Sequence, residues 1–289
     1  MNTVPYEFAE NVCLQSLSSL WNQTKKFSEL SGDYRICAEK LLEEGLVERN
    51  TILDGILQST KYSYFRNFPK TTGIISDPKV EVPKRVLINI VDTYSNNSAG
   101  SPKINFKPKS GVCTFLYLFS NKFDLDWVFK LNSSVPIPLV LLSISSSKIL
   151  NKVLKLLVDT KRLVQLQNTL ATTDDETRKL LVDFFQQDQF EFLLMFQLDD
   201  PLFRAIFEVW KANPSKFVGK SFEFRGFLDI QRCLLTKAKR TVATHEVYYY
   251  LKMKNGTLRV EYVNRNGTLD MQEDDFFKGV TSTAIYFEN

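Results

Sequence analysis

Three observations predict an α/β fold in which a short helical N-terminal region is followed by irregular βα repeats and closed by a β-hairpin. From residue 113 onward, short apolar runs recur as CTFLYLFS, PLVLLSIS, RLVQLQN, QFEFLLMFQL and SFEFRGFL. Between several of them lie segments whose apolar residues pair one helical turn apart. After residue 240, two strand-like runs in EVYYYLKMKNGTLRVEYVN flank an Asn-Gly turn signal.

Taken in order, residues 7–30 place Phe8, Val12, Leu17, Leu20, Phe27 and Leu30 at broadly helical intervals, and polar breaks divide them into two short helices. Ile36, Leu41, Leu42 and Leu46 continue a helical unit after Gly32. The stretch FPKTTGIISDPKVEVPKR carries three prolines and reads as an irregular connector. VLINIVDTYSNNSAGSPK ends in an exposed Ser/Asn/Gly loop. Within the repeats, Ile149, Leu150, Val153, Leu154 and Leu157 form one helical face. Leu180, Leu181, Phe184 and Phe185 form the next, then Leu202, Phe203, Ile206, Phe207 and Trp210. Thr173 and Glu176 have capping-box spacing, and Asp200-Pro201 reads as an N-cap followed by proline. The strand-like runs start about 23–31 residues apart, the range of leucine-rich-type repeats. Curved parallel strands with helices on the outer side satisfy that pattern, and an ordinary parallel α/β sheet satisfies it too. STAIYFEN reads as a last strand, and the antiparallel element is placed to cap the open end of the repeats. The expected organisation is a helical region over 1–60, an irregular connector with the first βα elements over 61–110, and a leucine-rich-like βα domain over 111–289.

The composition is globular, with 44% hydrophobic and 24% charged residues in 289, which argues against wholesale disorder. Twenty-three phenylalanines predict an aromatic-rich core. A net charge of +4 does not single out nucleic acid, because a dedicated binder concentrates Lys and Arg on one face. Tyr6, Glu7 and Glu10 interrupt any secretory signal, and SVPIPLVLLSIS is far shorter than the roughly 20 residues of a membrane helix. The expectation is a soluble intracellular protein, cytoplasmic and/or nuclear, with no membrane partner. Cys13, Cys37, Cys113 and Cys233 form no CxxC pair and read as buried free thiols rather than zinc ligands. Glycosylation sequons at Asn22, Asn96, Asn132, Asn255 and Asn266 carry no weight without a signal.

No phosphate loop, dinucleotide fingerprint or nucleophile elbow is present, so no catalytic, metal or cofactor residue is named. The only histidine, His245, reads as a strand-end residue. The acidic runs at Asp174–Glu176 and Glu273–Asp275 suit helix starts or turns better than metal sites, since neither has calcium-loop spacing. Lys237, Lys239 and Arg240, with Tyr249 among three consecutive tyrosines, form the one basic and aromatic combination that suits single-stranded nucleic acid. Residues in consecutive strand positions face opposite sides, so a solvated strand is the simpler reading. The class expected is a non-enzyme.

The opening stretch, VPYEFAENVCLQSL, is amphipathic from the start. Its order, Val4-Pro5-x-Glu7-Phe8 followed by Val12, Leu14 and Leu17, resembles the start of an F-box. Leu20, Phe27 and Leu30 fall near the apolar positions of later F-box helices, and Tyr34 lies where the family places tryptophan. Val4 departs from the family's leucine, and SGDY replaces its Cys-Lys-x-Trp. The resemblance implies that Val4, Pro5, Phe8, Val12, Leu14 and Leu17 dock the adaptor of a cullin-type ubiquitin ligase, with an apolar ridge seated in a partner groove. The bare residues equally allow a plain helical cap on the repeats. MNTVPYEF, LLVDFFQQDQFEFLLM, VWKANPSKFVGKSFEF and FFKGVTSTAIYF together resemble a divergent nematode multigene family of F-box-like proteins with associated C-terminal domains. That likeness implies protein partners, an adaptor and an unknown target, and no cofactor.

Overall fold

The computed structural model describes Ala9, Val12 and residues 27–67, 74–75, 85–95, 103–107, 112–169, 173–197, 199–228, 236–241, 246–253, 256–267 and 271–288. At 236–241 and 246–253 it describes the backbone alone. The chain is mixed α/β, as the periodicity predicts. It forms two compact units, Met1–Leu141 and Leu142–Asn289.

In the first unit, α1 (Asp33–Glu44) buries Cys37, Ala38 and Leu41 along one face. It passes directly into β1 (Gly45–Leu53). The Gly45 N–H donates to the Leu41 carbonyl, and a Cβ at this position would stand 2.3 Å from that oxygen and 2.4 Å from Leu87 Cδ1. Only glycine lets the helix end and the strand begin so close together. β2 (Ile56–Tyr64) returns antiparallel to β1. Asp54 and Gly55 join them with φ of 49° and 82°, the two positive angles that a tight hairpin turn requires.

Residues 45–60 therefore correct the expectation of an all-helical start, and Leu46 lies in β1 rather than on the helix. The Asp-Gly pair between two apolar runs was the local signal for this hairpin. β3 (Ile74–Ile75) adds to β2, while β4 (Arg85–Tyr94) and β5 (Cys113–Leu118) run parallel beyond β1. The local order is β3-β2-β1-β4-β5, so β4, which begins where the proline-bearing stretch ends, lies inside the sheet. α2 (Leu125–Ser134), not anticipated, is capped by the Asp124 carboxylate, which accepts from the Trp127 N–H. The core gathers Ala9, Cys37, Ala38, Leu41, Val47, Phe65, Ile90 and Phe115. Asn132, one of the sequon residues, is buried in α2.

The repeat pattern is borne out. β6 (Leu139–Leu142), α3 (Ser147–Thr160), β7 (Gln165–Asn168), α4 (Asp175–Phe185), β8 (Phe192–Met195), α5 (Asp200–Ala212) and β9 (Ser221–Arg225) alternate. β5 to β9 begin at residues 113, 139, 165, 192 and 221, each 26–29 residues after the last. In the second unit β7, β8 and β9 pair in parallel, and α3, α4 and α5 pack side by side. Right-handed crossovers between adjacent parallel strands put such helices on one side of the sheet. Most of each predicted helical face is buried: Leu150, Val153, Leu154 and Leu157 in α3; Leu181, Phe184 and Phe185 in α4; Leu202, Phe203, Ile206 and Trp210 in α5, while Ile149, Leu180 and Phe207 at their margins are half-buried.

Both predicted caps shift by one residue. Asp174, not Thr173, caps α4 by accepting from Thr177 N–H at 2.7 Å. Asp199, not Asp200, caps α5 by accepting from Leu202 N–H at 2.9 Å.

The chain ends with β10 (Thr236–Thr241), β11 (Glu246–Met253), β12 (Gly256–Val263), α6 (Glu273–Lys278) and β13 (Ser282–Glu288). β11 and β12 form the expected antiparallel pair, closing at Met253 and Gly256. β13 inserts between β9 and β12, antiparallel to both, so the last strand, rather than the hairpin, covers the edge left by the repeats. The second unit's core is aromatic, as the composition predicts. Phe185 packs against Phe190, Phe217, Phe222 and Phe287 at centroid distances of 5.3–6.2 Å, and the buried Tyr262 hydroxyl donates to the Leu228 carbonyl.

Candidate functional site

Strand alternation in the second unit separates two faces of its sheet. Leu193 and Met195 of β8, Phe222 and Phe224 of β9, Ile285 and Phe287 of β13, and Leu258 and Val260 of β12 are buried. Their neighbours Phe192, Leu194, Ser221, Glu223, Tyr286, Arg259 and Glu261 are half-buried. Register aligns them in two rows, Phe192–Ser221–Tyr286–Arg259 and Leu194–Glu223–Ala284–Glu261. Gln167, half-buried, extends the second row, while Gln165, in register with Phe192, is buried. This is the open face whose residues could not be named from sequence, because a shift of one residue exchanges the two faces.

Its chemistry is amphipathic. The Arg259 guanidinium lies 3.9 Å from the Tyr286 ring centroid and donates to Glu288 at 2.7 Å, with Glu261 at 3.6 Å. Arg225 lies 4.0 Å from the ring of Phe196, at the end of β8. Both cations are thus seated on aromatic rings. Burial, reinforced by the charge of Glu261, pushes the Tyr286 hydroxyl up to about 12. Burial alone raises the Glu223 carboxyl above its usual range, and among the described residues no basic side chain pairs with it. The face offers aromatic and aliphatic area, hydrogen-bonding groups and one uncompensated acid.

A hollow of about 310 Å³ lies in the first unit along β1, β2 and β4 and is lined by Arg49, Thr51, Lys61, Asp92 and Tyr94. Arg49 donates to both carboxylate oxygens of Asp92, at 2.5 and 3.0 Å. That bidentate pairing raises the Arg49 pKa and uses the charge internally. The pair braces the strands, and Lys61 is left as the exposed cation of the hollow.

Of the residues expected to dock an adaptor, Val12 is helical and half-buried, while Val4, Pro5, Phe8, Leu14 and Leu17 lie outside the described residues. Ala9, one helical turn before Val12, is fully buried in the first unit's core. Tyr34 stacks on Phe27 at 6.0 Å, and both pack against that core. Lys237 pairs in register with Tyr249, Lys239 with Tyr248 and Arg240 with Val247. These are backbone positions in β10 and β11, and their side chains lie outside the described residues, as does His245.

Asp174 is a helix cap, and hydrogen bonds from Thr177 hold its carboxyl below the usual range. Asp275 pairs with Lys278 at 2.8 Å. Cys37 is buried and forms no disulfide among the described residues, and burial pushes the Cys113 thiol up to about 12. Among the described residues no cluster of His, Cys, Asp or Glu is placed to hold a metal ion, and no helix is long and apolar enough to cross a membrane. Compared with protein-family models, curated proteins and solved structures, the chain matches none.

Proposed function

We propose that this is a non-enzymatic protein-interaction protein whose open sheet face over β8, β9 and β13 receives a protein partner. One observation supports the reading above the others: the helices pack against one side of the repeat strands, and the opposite side carries Phe192, Leu194, Tyr286 and Glu223 half-exposed in continuous rows. A mixed aromatic and polar surface on a sheet is the kind of surface that recognises proteins.

The test is a photo-reactive p-benzoylphenylalanine introduced at Leu194 of the full chain in cells, beside a control at the solvent-exposed Lys155 of α3. A protein adduct specific to position 194 is the expected result. Adducts no more frequent at 194 than at 155 would overturn the reading.

A finer reading joins this face to the opening stretch. The protein then acts in the cytoplasm and/or nucleus as a substrate receptor of a cullin-type ubiquitin ligase, with Val4, Pro5, Phe8, Val12, Leu14 and Leu17 docking the adaptor. The F-box-like residue order and the helical backbone at Ala9 and Val12 support it. Co-purification of the adaptor with the intact chain, lost in a folded Pro5→Ala/Phe8→Ala variant, is expected. Absence of adaptor from the intact chain would remove this finer reading and leave the face-binding role standing.

A further inference from the structure

The face holds one acid, Glu223, that no basic side chain among the described residues compensates. Glu223 sits at the middle of β9, with Leu194 of β8 on one side and Ala284 of β13 on the other. Its same-strand neighbour Ser221 is also small. Two described cations of these strands are already occupied, Arg225 on the Phe196 ring and Arg259 on Tyr286 and Glu288. Glu223 is thus a half-buried carboxylate with small side chains at Ser221 and Ala284 and an apolar wall at Leu194.

We propose that the partner taken by this face presents an arginine or lysine to Glu223. This deepens the protein-interaction reading above and rests on it. A docked cation restores the compensation that burial withdrew from the carboxylate, and closing the surface over the pair excludes water and strengthens the attraction. Arginine suits the position best, because its planar guanidinium takes both carboxylate oxygens while stacking on an aromatic neighbour. The face already treats Arg259 in this way, with Tyr286 below it and Glu288 beside it. Leu194 and Phe192 would then cover the stem of the incoming side chain.

The experiment pans a random dodecapeptide display library against the full chain and keeps the peptides that shift backbone amide resonances of β8, β9 and β13. Each is resynthesised with its basic residues replaced singly by glutamine, and each pair is titrated against the native chain and Glu223→Gln. One arginine or lysine whose loss weakens binding about tenfold or more on the native chain, but not on Glu223→Gln, is the expected result. The peptide replacement on the native chain reads the same preference even where the variant fails to fold. Peptides that bind the face without needing a cation, or whose cation matters equally on both proteins, would overturn the inference and leave the interaction reading intact. Failure of every peptide to shift the face would overturn both. Shifts of the same resonances by single-stranded RNA, suppressed by added salt, would replace a basic protein partner with a polyanion and so overturn the inference as well.

Discussion

Replacing Asp199 with alanine tests how the repeats are joined. The carboxylate is buried at 7% exposure and serves two repeats at once. One oxygen caps α5 through the Leu202 N–H at 2.9 Å. The other accepts from the Thr173 N–H at 3.1 Å and from the Thr173 hydroxyl, on the loop that leads into α4. Losing an aspartate cap costs about 1 kcal/mol, and stranding the buried Thr173 donors adds about 1–3 kcal/mol. The Arg178 guanidinium, 3.8 Å away, already has Asp175 and the Thr173 carbonyl as partners and contributes little. A total of about 2–4 kcal/mol is expected. Urea unfolding, followed by the fluorescence of the fully buried Trp210 in α5, reads it as a lower midpoint at unchanged slope. Asp199→Asn separates the two roles: its oxygen can still cap α5, but its amide meets the Thr173 N–H donor to donor. That variant should lose part of the stability rather than all of it. A change below about 0.5 kcal/mol for Asp199→Ala would refute the idea that this residue clamps one repeat to the next.

Two further outcomes follow from single side chains. Gly45→Ala should destabilise the first unit by about 1–3 kcal/mol, since the added Cβ must displace the Leu41 carbonyl or Leu87; an unchanged thermal midpoint would show that the junction yields. Lys220 is buried at 4% exposure and donates from Nζ to the carbonyls of Phe185 at 2.8 Å and Gln187 at 2.5 Å, closing the end of α4. Burial lowers its pKa from 10.5 to about 8, so between those values the unfolded chain holds more protons and stability should rise with pH. In Lys220→Met the rise between pH 8 and 10 should shrink, alongside a loss of about 1–3 kcal/mol at neutral pH from the unpaired carbonyls. Equal pH profiles for the two proteins would refute the assignment.

The sequence by itself determined the repeats. Strand runs, helical faces and the antiparallel end are written in local periodicity, and burial of a stripe such as Leu150, Val153, Leu154 and Leu157 needs only one apolar side to face inward. The Asp54-Gly55 hairpin was equally legible, yet a helical reading that ran on through Leu46 overlooked it. The starts of α4 and α5 were visible, but which residue caps each was not, since Thr173 and Asp200 offered similar capping chemistry one residue away. Tertiary structure decided that choice through partners 26 residues distant, such as Asp199 for Thr173. It alone placed β13 between β9 and β12, and by that insertion brought Tyr286 and Arg259 beside Phe192 and Glu223. Strand register is set by pairing between distant segments, and a slip of one residue turns every side chain over. Which residues face a partner is therefore a property of the assembled sheet rather than of any single strand.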